Sequence, residues 1–106
     1  MTPKYYLVGG YVRGKENPHD IDIVGVLDKS TFEREFGYDH AGLMAAFKEN
    51  PKPEKLERYL LANRIAGMIL TPLFKEKNVD FKWCLPSMLY EPNCEIQLDL
   101  STVISL

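Results

Sequence analysis

The stretch from Tyr5 to Asp28, YYLVGGYVRGKENPHDIDIVGVLD, limits the fold more than any other part of the chain. It sets two adjacent glycines and a polar loop between two apolar runs. Tyr6, Leu7 and Val8 read as a short buried strand, and Ile21, Ile23, Val24, Val26 and Leu27 as a second, each bounded by turn residues. The link between them holds Gly9, Gly10, Asn17 and Pro18 and has room for one helical turn at most. That is too short for a full crossover helix, so a dinucleotide-binding unit is excluded. A Walker loop is excluded too, because no Gly-Lys-Ser/Thr follows the glycines.

Side chains alternate along a strand, so Asp20 and Asp22 point to one face of the second run while Ile21 and Ile23 point to the other. Two carboxylates side by side repel, and a divalent cation relieves that repulsion. Hard oxygen ligands of this kind suit magnesium or manganese, with waters and substrate phosphates completing the shell. An Asp-x-Asp pair taken alone equally suits the solvated start of a strand. Gly9 and Gly10 add a second element, because a backbone without Cβ atoms lets amide groups approach a phosphate. Arg13 follows three residues later, within reach to supply charge-assisted bonds to the same phosphates. Read without the aspartates, the same residues are a tight turn with a surface arginine.

Together, Leu7-Val8-Gly9-Gly10-Tyr11-Val12-Arg13-Gly14 and Asp20-Ile21-Asp22-Ile23-Val24 resemble the signature of the nucleotidyltransferase superfamily that includes DNA polymerase beta. The nearest echo is the Gly-Gly-x-Val-Arg and Asp-x-Asp pattern of tRNA CCA-adding enzymes and bacterial poly(A) polymerases. Gly14 departs from the CCA-adding pattern, which has an aspartate there, and Arg-Gly is nearer the polymerase beta and minimal nucleotidyltransferase form. The resemblance covers about a quarter of the chain. It implies a mixed sheet flanked by helices, two metal ions held by three carboxylates, and attack of an acceptor hydroxyl on a nucleoside triphosphate.

The remainder of the chain has the makings of one ordinary globular unit. A length of 106 residues, 45% hydrophobic and 26% charged, suits a single domain spanning 1–106. A formal charge of −2 gives no global attraction to nucleic acid, so such binding would need a local basic patch or a partner. No apolar run approaches membrane-spanning length and Met1-Thr2-Pro3-Lys4 does not read as the start of a signal peptide, so no membrane partner and a cytoplasmic location are expected. Cys84 and Cys94 are then expected to be reduced, and no cysteine-histidine cluster suggests zinc. His19, beside Asp20, is either a solvated loop residue or a contact to substrate or metal.

Three helices are expected after Leu27. Asp28 or Ser30 caps one that runs to Glu35 or Phe36, with Gly37 ending it; a second runs from about His40 to Glu49, stopped by Asn50-Pro51. The longest runs from Pro53 or Glu54 to Leu70, with Pro53 in its first turn and Pro72 just beyond its end. Its stripe is Leu56, Tyr59, Leu60, Asn63, Gly67 and Leu70, widened by Ile65, Met68 and Ile69, and Gly67 marks close packing against the sheet. Arg58 and Arg64 on this helix are either solvated or substrate-facing.

Alternation returns at Asn78–Leu85, with Val79, Phe81 and Trp83 on one face and Asp80, Lys82 and Cys84 on the other, and again at Cys94–Leu100. The expected class is therefore α+β, a mixed α/β sheet of about four strands flanked by helices in a nucleotidyltransferase-like fold. By the resemblance, Asp80 is the third carboxylate beside Asp20 and Asp22, with Asp99 its rival. Gly9, Gly10, Arg13 and Lys82 serve the triphosphate, although Lys82 equally suits a pair with Asp80. The implied activity is magnesium- or manganese-dependent transfer of a nucleoside monophosphate to an acceptor hydroxyl on RNA, such as tRNA, or on protein. The alternatives are an inactive nucleotide-binding or regulatory module, or a minimal nucleotidyltransferase antitoxin that acts with a partner protein.

Overall fold

In the computed structural model, which describes residues 3–8, 20–74, 77–89 and 96–104, the two apolar runs flanking the glycine pair lie side by side. They form the antiparallel strands β1 (Lys4–Val8) and β2 (Asp20–Val26). Strand β3 (Asn78–Cys84) joins parallel to β2, and the three-residue β4 (Ile96–Leu98) joins antiparallel to β1. The result is a four-stranded mixed sheet in the order β3-β2-β1-β4. A parallel pair needs a crossover, and here three helices supply it: α1 (Lys29–Phe36), α2 (His40–Phe47) and α3 (Glu54–Leu70). The class is α+β. None of the described helices is long and apolar enough to cross a membrane.

Period-two alternation decides which side of the sheet the helices cover. Tyr5, Leu7, Ile21, Ile23, Val79, Phe81 and Trp83 all project to one face and merge with Phe32, Phe36, Leu43, Leu56, Tyr59 and Leu70 in a single buried cluster. Tyr59 sits at its centre, edge-on to Phe36 at 5.1 Å and tilted against Phe32 at 5.8 Å between ring centroids. Removing a large side chain from water contributes about 1.5–3 kcal/mol, a sizeable part of a total stability on the order of 5–15 kcal/mol.

The helix ends follow from local chemistry. Asp28 is the N-cap of α1, accepting from the Ser30 and Thr31 hydroxyls, and Gly37 closes the helix at φ 75° with its N–H donating to the Glu33 carbonyl. Asp39 caps α2 by accepting from the Gly42 amide at 2.7 Å. That helix ends at Phe47, two residues short of the expected Glu49, with Lys48 as its C-cap. Pro53 is the N-cap of α3 rather than a first-turn residue, and Glu54 and Glu57 lie in the first turn, where the helix dipole favours acids.

Helix α3 also shields the free edge of β3. The Asn63 Oδ1 accepts from the Trp83 amide at 2.9 Å, the Thr71 Oγ1 accepts from the Val79 amide at 3.1 Å, and the Tyr59 hydroxyl donates to the Trp83 carbonyl at 2.6 Å. These bonds occupy edge groups that would otherwise be open to another strand. The helix comes so near at Gly67 that a Cβ there would stand 2.7 Å from the Val79 carbonyl oxygen, which bears out the close packing expected at this residue. One expectation for α3 is corrected: Ile65, Met68 and Ile69 do not widen the buried stripe but are exposed, and Ala66 is buried instead. Similarly, Ile96 on β4 is exposed, because β4 is a short edge strand at the other side of the sheet.

Candidate metal and nucleotide site

The sheet face turned away from the core carries the even-numbered residues of β2 and β3. On β2 these are Asp20, exposed, and Asp22, half-buried; on β3 they are Asn78, Asp80 and Lys82, all exposed. The odd-numbered neighbours are committed to the core, so this arrangement is a direct consequence of strand alternation. Register then fixes which residues meet. Asp22 is the direct partner of Asp80, Asp20 of Asn78, and Val24 of Lys82. Adjacent strands lie about 4.8 Å apart, so the Asp22 and Asp80 backbones are immediate neighbours. On the other side, Asp22 pairs with Val8, the last residue of β1, after which the sequence runs into Gly9 and Gly10.

Gly9, Gly10, Arg13 and His19 lie outside the described residues, as does Cys94. Cys84 is a free, buried thiol. Asp99 follows β4, whose Leu98 pairs with Tyr5, whereas Asp22 pairs with Val8 at the opposite end of β1. Asp99 accepts a hydrogen bond from the Ser101 hydroxyl at 2.9 Å and is separated from β2 by the width of β1. The register thus brings Asp80, not Asp99, beside the Asp-x-Asp pair.

Beside Asp80 the gap between β3 and α3 forms an open groove of about 520 Å³, lined among others by Asn63, Arg64, Met68, Asn78, Asp80 and Lys82. The three ion pairs seen among the described residues are Lys29–Glu33, Arg34–Glu35 and Arg58–Glu54, all at the surface. Lys82 therefore does not pair with Asp80, although both share a face and a groove. Arg64 lines the groove as well, whereas Arg58 is held against Glu54 at 3.9 Å. The signal for Arg64 lies in its position three residues before Gly67, on the flank where the helix comes closest to β3.

As donors, three carboxylates on one sheet face have the hard-oxygen chemistry that suits magnesium or manganese. Their side chains are not gathered: among the described residues no group of three or more His, Cys, Asp or Glu is close enough to hold a metal ion. Like charges on adjacent strands turn away from one another when no cation lies between them, and the exposure of Asp20 and Asp80 leaves their rotamers free to change. The backbone arrangement fits the group, and side-chain rotation would complete the donor set. Compared with known protein families, with curated proteins and with solved structures, the chain has no significant match.

Proposed function

We propose that the protein is a nucleotidyltransferase with a polymerase beta-like fold, which transfers a nucleoside monophosphate from a nucleoside triphosphate to an acceptor hydroxyl. The observation that carries this reading is the Asp22–Asp80 register on the open face, one residue pair away from Asp20 and next to the strand end that leads into Gly9-Gly10. Asp20, Asp22 and Asp80 would hold magnesium or manganese, which supplies charge neutralisation at the phosphates and lowers the pKa of a bound hydroxyl. Asp80 accepts the proton of the acceptor hydroxyl as its oxygen bonds to the α-phosphorus; the bond from that phosphorus to the bridging oxygen breaks, and pyrophosphate leaves with the electron pair. Lys82, on the same face and without an ion-pair partner among the described residues, neutralises phosphate charge. Gly9, Gly10 and Arg13 are assigned to the triphosphate by their place in the motif.

The test is incorporation of label from α-labelled ribonucleoside triphosphates into RNA, DNA or protein in a cell lysate, compared with the Asp22→Asn variant. Transfer by the wild type and none by the variant is the expected result, and the labelled polymer names the acceptor. The ungathered carboxylates favour a second reading, a nucleotide-binding module without turnover or an antitoxin that needs its partner protein. Magnesium- and nucleotide-dependent NMR shifts at Asp20, Asp22 and Asp80 without incorporation would point there. No shift at any of the three would sink both.

A further inference from the structure

Helix α3 has two apolar faces, and only one meets the sheet. On the outward side Leu61, Ile65, Met68 and Ile69 are 51%, 48%, 68% and 46% exposed, and Leu73, in the 3₁₀ turn Thr71–Leu73 that continues the helix, is 56% exposed. The spacing i, i+4, i+7, i+8 is that of a helix seam packed against another helix. Between Leu61 and Leu73 the sequence carries a single charge, Arg64. A helix apolar all round is ordinarily buried all round. Next to the seam lies a recess of about 300 Å³ whose α3 wall is Ala62, Ile65, Ala66 and Ile69. Those positions, i, i+3, i+4 and i+7, are the four corners of the hole that receives a side chain from a facing helix.

We propose that this face binds a second copy of the chain, with the two α3 helices packed antiparallel about a two-fold axis near Ile65. Two-fold packing requires the surface to complement itself, and it does. With the axis there, Ile69 of each copy comes opposite the small Ala62 of the other, so large meets small on both sides. A parallel pair would bring Glu54 and Glu57 of both copies together at one end, whereas the antiparallel pair separates them and opposes the two helix dipoles. The nearly uncharged seam disfavours a polar partner, and a second copy brings the one apolar seam already known to match in length. The exposed side chains offer roughly 500 Å² per copy, so a pair covers on the order of 1,000 Å², the lower end for a specific interface. A dimer with a dissociation constant on the order of micromolar follows.

Sedimentation velocity of the full chain across the micromolar range tests this. The expected result is a concentration-dependent rise from the 12.2 kDa monomer to twice that mass. Ile65→Glu should weaken the dimer at least about a hundredfold, since the residue lies at the centre of the seam. Met68→Glu, at the most exposed position, should do the same with no change in circular dichroism, should Ile65→Glu fail to fold. In a Cys94→Ser background, Ile65→Cys should cross-link two copies on mild oxidation and Lys29→Cys should not. A chain that stays monomeric throughout, a dimer indifferent to both glutamate variants, or a dimer without the cross-link at position 65 overturns the proposal.

Discussion

Asp28 is a carboxylate tuned by two hydroxyls. Ser30 donates to one of its oxygens at 2.6 Å and Thr31 to the other at 2.5 Å, and these bonds hold its pKa down at about 2 against an ordinary 3.8. Because the folded value is the lower one, whatever stability the ionised cap gives is complete above about pH 4 and is lost as the pH falls through about 2. Ser30→Ala should raise the midpoint toward 3.8, read from the carboxyl carbon shift in an NMR titration. An unmoved midpoint would mean that the Ser30 bond does not set it. Tyr59 is the buried counterpart. Burial pushes its pKa up, so the phenol stays a neutral donor to the Trp83 carbonyl at any ordinary pH. Tyr59→Phe keeps the ring packing but strips that carbonyl of its donor, for an expected loss of about 1–3 kcal/mol in urea unfolding. A loss close to zero would show that water takes the place of the hydroxyl.

At the scale of elements, α3 and β3 act as one unit, and Gly67 shows why. In a helix interior, replacing glycine by alanine should stabilise by roughly 1 kcal/mol. Here the added methyl would lie 2.7 Å from a backbone carbonyl, which cannot swing away as a side-chain end would. Overpacking of that kind costs about 1–3 kcal/mol, so Gly67→Ala should be net destabilising, as a lowered midpoint of thermal unfolding. A higher midpoint would mean that α3 can slide outward along the β3 edge. This packing was partly legible in the sequence. Gly67 stood out because a glycine in a long apolar helix needs a reason, and Asp20, Asp22 and Asp80 could be put on the faces opposite Ile21, Ile23, Val79 and Phe81 by alternation alone. Two features were not legible. The Asp22–Asp80 register depends on three helices of crossover between the strands, and nothing local encodes it. The exposure of Ile65, Met68 and Ile69 escaped notice because hydropathy says that a side chain avoids water, not which neighbour it finds.

For the whole molecule, the open sheet face sets stability against binding. Asp22 and Asp80 are direct partners across β2 and β3, and like charges so placed are destabilising by about 0.2–1 kcal/mol. If these carboxylates are there to receive a cation, the fold bears that cost whenever no cation is bound. Asp80→Asn should therefore raise the unfolding temperature in the presence of a chelator, by roughly 1–5 °C for a chain of this size. Magnesium with a nucleoside triphosphate should reverse the ranking. At a hundredfold excess over its dissociation constant a ligand stabilises by about 2.7 kcal/mol, which exceeds the relief obtained by neutralising one aspartate. Wild type should then melt above Asp80→Asn, which has lost a donor from the set. Thermal melts of the two proteins with chelator, with magnesium alone and with magnesium plus triphosphate resolve the two contributions. A variant that gains as much from magnesium and triphosphate as the wild type would remove Asp80 from the site. A variant that melts below wild type in chelator would show instead that Asp80 supports the sheet edge, leaving Asp20 and Asp22 without the third carboxylate that the transfer chemistry requires.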